Sequence, residues 1–223
     1  MPDGRYSELL SLAAHEFRTP VSVVSGYLRM LLQDASAPLD ERQRKMIQEA
    51  DKACSRVTAI VADLSQIARL DEDAVLLSQN AFDLFTMLDE VGGGVHEASD
   101  RDVTLELAGE AAGAQMTGDL FRLQQAFTAI FRAVLREQPS GTRVVADRGR
   151  VKKGSDTSAL IIVARAEEVE AARSGATASF NEYRGGLGLA LPIARRVIEK
   201  HGGRMWSAQA GAVAGPIVVS LPI

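Results

Sequence analysis

His15, Glu16 and Thr19 fall within five consecutive positions, and Pro20 follows at once. A neutral imidazole is a nucleophile that can take up a covalent group. Thr19 lies four residues after His15, so on a helix its hydroxyl shares a face with the ring. A lone surface histidine seldom does chemistry. One that shares a helical turn with a carboxylate, a hydroxyl and a helix-kinking proline is a candidate centre.

The element that must carry this group is the apolar-periodic run from Leu9 to Leu32. Leu10, Ala13, Phe17, Val21, Val24, Leu28 and Leu31 repeat at three-four spacing and make a narrow stripe on a helix. His15 lies two positions off that stripe, which predicts a ring facing solvent at the edge of the packed face. Pro20 removes the N–H that would bond to the carbonyl of Glu16, so a bend is expected one turn below the histidine. A second stripe runs through Met46, Ala50, Ala53, Val57, Ile60, Leu64 and Ile67, and the segment from Asp34 to Asp40 between them has the composition of a turn. A hairpin of two such stripes cannot bury both by itself. Two copies would close a four-helix bundle, so a homodimer is implied. An ordinary coiled-coil hairpin explains the stripes equally well, but not the residues around His15.

Residues 14–20 resemble the H-E-x-R-T-P phosphoacceptor motif of the sensor histidine kinases of bacterial two-component signalling, and Asp63 to Leu70 is similar to the end of that family's second helix. The resemblance implies that His15 carries the phosphoryl group and that Glu16 orients the ring and takes its proton during attack on phosphorus. It implies too that Thr19 places a water for attack on the aspartyl phosphate of a response-regulator receiver domain, in the reverse direction. The receiver would bring the magnesium for that reaction.

Composition bounds the rest. The chain has 223 residues, a formal net charge of −4 and an apolar fraction of 46%, which suits a small helical module followed by one globular domain. No block of Lys and Arg points to nucleic acid. No stretch approaches the roughly 18 apolar residues of a membrane helix, and charges interrupt every early apolar run, so no secretory signal is read. The single Cys54 cannot form an internal disulfide and fits a reducing, cytoplasmic setting. Because so little precedes the motif, either an input domain has been cut away or the protein senses nothing alone.

The expected organisation is a helical hairpin over 1–72, a connector over 73–80 and an α+β domain over 81–223, an α/β sandwich of one sheet and one helical layer. Phe82 to Val91 reads as a helix stopped by Gly92-Gly93-Gly94, and Val103 to Leu107 as a strand. Gly118-Asp119 opens a further helix. Strand-like runs at Thr142–Ala146, Ala159–Ala164 and Pro216–Leu221 flank a helix from about Leu189 to Lys200. The family resemblance extends here. Asp119 to Gln125 is similar to the D-x-x-R-L-x-Q opening of the histidine-kinase ATP-binding domain, Gly186-Leu187-Gly188-Leu189 to its G-L-G-L segment, and His201-Gly202-Gly203 to the end of the helix that follows.

Three departures concern the nucleotide. The family's two asparagines after R-L-x-Q, the second of them a magnesium ligand, fall on Ala129 and Ala133, and a methyl group cannot ligate a hard cation. Arg136 falls where the family has a phosphate-facing basic residue. The aspartate that receives the adenine amino group is best aligned with Arg165, which has donors and no acceptor; Asp147-Arg148-Gly149 mimics that motif but lies too soon after Ala133 and follows the earlier strand. The flexible lid is nearly absent between Phe180-Asn181-Glu182-Tyr183 and Gly186, and Glu167, Glu168 and Glu170 form an acidic run upstream. Gly186, Leu187 and Gly188 could still offer backbone N–H groups to phosphate, or form a tight turn kept for packing. Each bond to a charged group left unmade in a buried site costs roughly 1.5–3 kcal/mol, so these losses together remove about three or more decades of ATP affinity. Three readings follow: a phosphotransfer protein or receiver phosphatase working at His15, an ATP-dependent autokinase with an unusual site, and a non-enzymatic scaffold that binds a receiver.

Overall fold

The computed structural model describes residues 4–34, 36, 38–72, 74–178, 180–208 and 215–223. The chain divides into two compact units, Met1–Val75 and Leu76–Ile223.

The first unit is a hairpin of α1 (Gly4–Gln33) and α2 (Glu41–Asp71). Pro20 lies inside α1 without interrupting it. α2 starts on a reciprocal cap: Asp40 Oδ1 accepts from the Gln43 N–H at 2.7 Å, and Gln43 Oε1 accepts from the Asp40 N–H at 3.0 Å. Side-chain hydrogen bonds and an ion pair between Arg29 and Asp51 tie the helices together. Ser25 Oγ donates to Asp51 Oδ1 at 2.9 Å, and Arg18 Nη2 donates to Ser65 Oγ at 3.3 Å.

The packed face of α1 is offset from the expected stripe. Its sheltered positions include Ser7, Leu10, Ala14, Val21, Ser25, Leu28 and Leu32, whereas Phe17, Val24 and Leu31 are exposed, with Phe17 58% accessible. On α2, Ile47, Ala50, Cys54, Val61, Leu64 and Ala68 are sheltered, whereas Met46, Val57 and Ile60 are exposed. The apolar residues of each helix thus cover more than one face. One face is used inside the hairpin, and a broad second face has no partner in a single chain.

In the second unit β1 (Asn80–Asp83) pairs antiparallel with β3 (Gln115–Gly118). This corrects the expected helix from Phe82: Phe82 and Asp83 end a strand, and α3 (Leu84–Gly93) begins after it. Asp83 is the cap that separates the two. Its Oδ1 accepts from Phe85 N–H at 3.0 Å and Thr86 N–H at 3.1 Å, while Oδ2 accepts from Gly113 N–H at 2.6 Å. Burial alone would raise this carboxyl's pKa, but backbone N–H bonds from Gly113, Thr86, Phe85 and Ala114 outweigh it and hold it below the ordinary value.

The main sheet has six strands. β2 (Thr104–Gly109), β4 (Arg143–Lys153), β5 (Asp156–Arg165), β6 (Thr177–Ala178), β7 (Arg204–Ala208) and β8 (Ile217–Pro222) lie in the order β2-β4-β5-β8-β7-β6. Only β2 and β4 are parallel, and α4 (Leu120–Arg136) lies in the crossover between them. β3, β6 and β7 were not expected. Each is short or polar at alternate positions, so its sequence alone gives little period-two signal.

Alternation along β5, β7 and β8 sends side chains to two faces. Ile162, Ala164, Ala208 and Val218 pack with Ala172 of α5 (Val169–Ser174). The buried Ile161, Val163 and Val219 point to the other face, that of α4 and α6 (Ala190–Lys200). The expected single helical layer is therefore supplemented by a small patch under α5. The core of α4 is Leu123, Ala126, Phe127, Ile130, Phe131, Val134 and Leu135, with the Phe127 and Phe131 rings 6.2 Å apart.

Candidate functional site

His15 stands one residue after Ala14, which is wholly buried, yet its own side chain is 74% exposed. The period of the helix produces this contrast, since 100° of rotation carries the next residue from the packed face to solvent. Glu16 Oε1 stands 3.5 Å from His15 Nδ1, within ion-pair reach but longer than a hydrogen bond, and Glu16 is 72% exposed. Nδ1 is thereby the nitrogen on the carboxylate side, and Nε2 is open to an incoming group. Thr19 is exposed one turn further on. The bond from Arg18 to Ser65 joins this stretch to α2, so the ring is carried by a helix held at two levels.

The second cluster of expected site residues is Arg136, Gly186, Leu187 and Gly188. Arg136 and Gly186 meet, because Arg136 Nη1 donates to the Gly186 carbonyl at 3.3 Å. Arg136 Nε also lies 3.3 Å from Glu97 Oε1, and Arg132 Nε lies 2.6 Å from Glu97 Oε2. One carboxylate thus partly neutralises both basic side chains. Gly186 and Gly188 take positive φ of 62° and 60°. The Leu187 carbonyl accepts from the Ala190 N–H at 3.3 Å, opening α6 without a side-chain cap.

The two alanines are equally informative. Ala133 is fully buried, and what covers it is the turn Arg184–Gly186. Gly185 has φ +73°, and a Cβ built on it would lie 2.7 Å from Ala133 Cα and 2.8 Å from Ala133 Cβ. Only glycine fits there. The turn is fastened by Glu137, which follows Arg136 at the end of α4. Arg184 Nε donates to Glu137 Oε2 at 2.9 Å, Arg184 Nη2 to the same oxygen at 2.5 Å, and the Gly185 N–H to Oε1 at 2.9 Å. Neither Glu137 nor Arg184 was singled out from the sequence. They stand 47 positions apart, and no local pattern joins them.

The other departures keep their geometry. Asp147 and Gly149 sit inside β4, in register with Ile162 and Leu160, so the strand passes straight through the D-x-G look-alike. Asp147 is ion-paired with Arg173. Arg165 ends β5 and pairs with Glu168, which raises the already high pKa of its guanidinium. Within the acidic run, Glu167 and Glu168 meet Arg165 and Glu170 meets Arg173, so two arginines stand among the three carboxylates. Asp119 and Arg122 have a structural task. Asp119 Oδ1 caps α4 by accepting from the Arg122 N–H at 3.1 Å, and its Oδ2 lies 3.3 Å from Arg122 Nε. The Asp119 N–H donates to His201 Nε2 at 2.9 Å, and His201 Nδ1 bonds the Val197 carbonyl at 2.7 Å. The histidine after α6 thus pins it to the start of α4. Gly203 follows because a Cβ there would lie 2.5 Å from the Ser220 carbonyl oxygen.

Comparison with known proteins fits this arrangement. Residues 5–73 match the His Kinase A (phospho-acceptor) domain. The histidine-protein kinase BarA of Escherichia coli K12 is 26% identical over 209 residues, covering 88% of this chain and 22% of BarA. The kinase BaeS of the same organism is 26% identical over 223 residues, covering 94% of this chain and 45% of BaeS. Among solved structures, full-length ShkA in complex with AMPPNP superposes with a TM-score of 0.67 at 19% identity, over 96% of this chain and 45% of that one. The Acinetobacter baumannii histidine kinase AdeS superposes with a TM-score of 0.55 at 17% identity, over 93% of this chain and 97% of that one. Residues 5–73 are thus similar to a histidine-kinase phosphoacceptor hairpin, and the α/β domain after it has the fold of the histidine-kinase structures on which it superposes. The chain spans less than half the length of BarA and BaeS. Among the described residues no helix is long and apolar enough to cross a membrane.

Proposed function

We propose that the protein carries a phosphoryl group on His15 and exchanges it with an aspartate of a response-regulator receiver domain, as a cytoplasmic homodimer. The observation that carries this reading is the ring of His15, open to solvent with a carboxylate beside Nδ1 and nothing against Nε2 among the described residues. When Nε2 attacks the phosphorus of a receiver aspartyl phosphate, the P–O bond breaks and a P–N bond forms. The proton on Nδ1 becomes acidic and passes to Glu16 or through it to water. Run backwards, the receiver carboxylate attacks phosphorus and the imidazole leaves with its proton restored. Thr19, exposed on the same face, suits the orientation of a water for direct hydrolysis of the receiver's aspartyl phosphate. Magnesium for these steps comes with the receiver. The unpartnered apolar face with Phe17, Val24, Leu31, Val57 and Ile60 supports the dimer.

The second unit does not fit a magnesium nucleotide. The helix face that would hold the metal presents Ala129 and Ala133, and the backbone of Gly185 lies on the latter. Arg165 offers only donors at the base position and is engaged by Glu168. Weak use of ATP by this chain follows. The second reading, an ATP-dependent autokinase, draws on Gly186-Leu187-Gly188 at the start of α6 and on the likeness to ShkA, which is described with AMPPNP. Incubation with labelled ATP and magnesium, then with receiver domains charged by acetyl phosphate, separates the possibilities. Transfer from a receiver to His15, or faster loss of the receiver's phosphate, with no label taken from ATP is the expected result. Label on His15 from ATP establishes the autokinase, and no effect on any receiver leaves a binding scaffold.

A further inference from the structure

The Glu137–Arg184 pair is better built than a surface ion pair needs to be. Arg184 is 7% exposed and Glu137 17%. One carboxylate accepts four hydrogen bonds: Arg184 Nε at 3.2 and 2.9 Å, Nη2 at 2.5 Å and the Gly185 N–H at 2.9 Å. Arg184 Nη1 donates in addition to the Gly215 carbonyl at 2.6 Å. From the other side Arg136 Nη1 holds the Gly186 carbonyl. The turn is therefore clamped to Arg136, the last residue of α4, and to its C-cap Glu137, with the Gly185 backbone against Ala133.

We propose that Glu137 and Arg184 form an autoinhibitory latch that seats the Arg184–Gly186 turn on Ala133 and closes the strip of α4 along which a nucleotide polyphosphate would lie. The proposal rests on the reading that this chain uses ATP weakly, and it assigns part of that weakness to a reversible obstruction. Two effects act together. The turn takes the room beside Ala133, and Arg184, a cation suited to a phosphate, is spent on Glu137. Removing the carboxylate charge loosens the turn and frees Arg184 for an anion, while Arg136 stays beside Glu97. A half-buried pair resists this opening because breaking it strands a charge out of water.

The full chain tests the proposal by two readouts, hydrogen exchange at residues 184–189 and titration with trinitrophenyl-ATP with and without magnesium. Glu137→Gln keeps the shape and removes the charge. Gly185→Ala forces the turn off Ala133 by its Cβ and its positive φ while leaving both charged residues in place. Both variants should exchange the Gly185 amide about tenfold faster or more and bind the nucleotide probe about tenfold tighter. Arg184→Met should speed exchange equally but gain less affinity, because the freed cation is gone. Melting by circular dichroism checks that each variant is folded, and Gly185→Ala carries the test if the charge variant is not. Unchanged exchange, or faster exchange with no gain in affinity, overturns the latch and leaves the reading of weak nucleotide use standing. Tight magnesium-dependent binding by the parent chain overturns both.

Discussion

Two helices of this protein carry motif residues in opposite conditions. On α1 the chemistry-bearing side chains His15, Glu16 and Thr19 all reach solvent, and the neighbour Ala14 takes the burial. On α4 the family resemblance sets asparagines against what are here Ala129 and Ala133, and the end of the helix is covered by Arg184 and Gly185. The difference teaches that a phosphoacceptor surface needs little more than an exposed ring on a rigid helix. A nucleotide site needs a metal ligand, an acceptor for the base and open room, all at once. Loss of any one of these is costly, whereas the first arrangement has few parts to lose.

Substitutions at the two helices can break or sharpen this contrast. The largest effect is expected from His15→Gln, which should reduce phosphoryl uptake from a charged receiver to background while leaving stability within about 0.5 kcal/mol, as for exposed sites generally. Acid-gel detection of the phosphoramidate and a thermal melt check both halves; residual label would move the acceptor elsewhere. Next comes Glu16→Gln, expected to slow transfer by about 10²–10⁴-fold with receiver binding retained. A stopped-flow rate that is unchanged would reduce Glu16 to a solvated neighbour.

Ala133→Asn probes the other helix. Restoring the family's metal-ligating residue type should not create a magnesium site here, because the added amide meets the Gly185 turn. Instead it should cost about 1–3 kcal/mol, measured by urea unfolding, from overpacking and an unmet polar group. Stable, magnesium-tight nucleotide binding by this variant would show that the alanine alone disabled the site.

The smallest effect concerns the frame of the second unit. Asp83 has a folded-state pKa held below its ordinary carboxylate value by backbone N–H donors. Its contribution to stability is therefore complete above an unfolded pKa of about 3.9 and is lost as pH falls through the lower folded value. Asp83→Asn should cost about 0.5–2 kcal/mol at neutral pH. It should also flatten the dependence of stability on pH below about 4. An unaltered acid-unfolding slope would mean that the four N–H bonds do not favour the charged form.

Much of this was legible in the chain. The hairpin, the exposed His15, the cap at Asp119 and the strands β4, β5 and β8 all follow from strong periodicity or from a polar residue next to an apolar run. What escaped were short, edge or interrupted elements. Phe82 and Asp83 look helical because they precede a helical stripe, yet pairing with Met116 and Gln115 makes them a strand. Glu167, Glu168 and Glu170 look like a bare acidic run, yet Arg165 and Arg173 stand beside them.

The sequence by itself determined which side chains can do chemistry and which cannot, since a methyl group has no lone pair and an imidazole has one wherever it is placed. Tertiary structure alone decided the pairing of Glu137 with Arg184 and the burial of Ala133 beneath Gly185. Such contacts join segments far apart in the chain, and their energy depends on distance and shelter from water, neither of which is written in residue order.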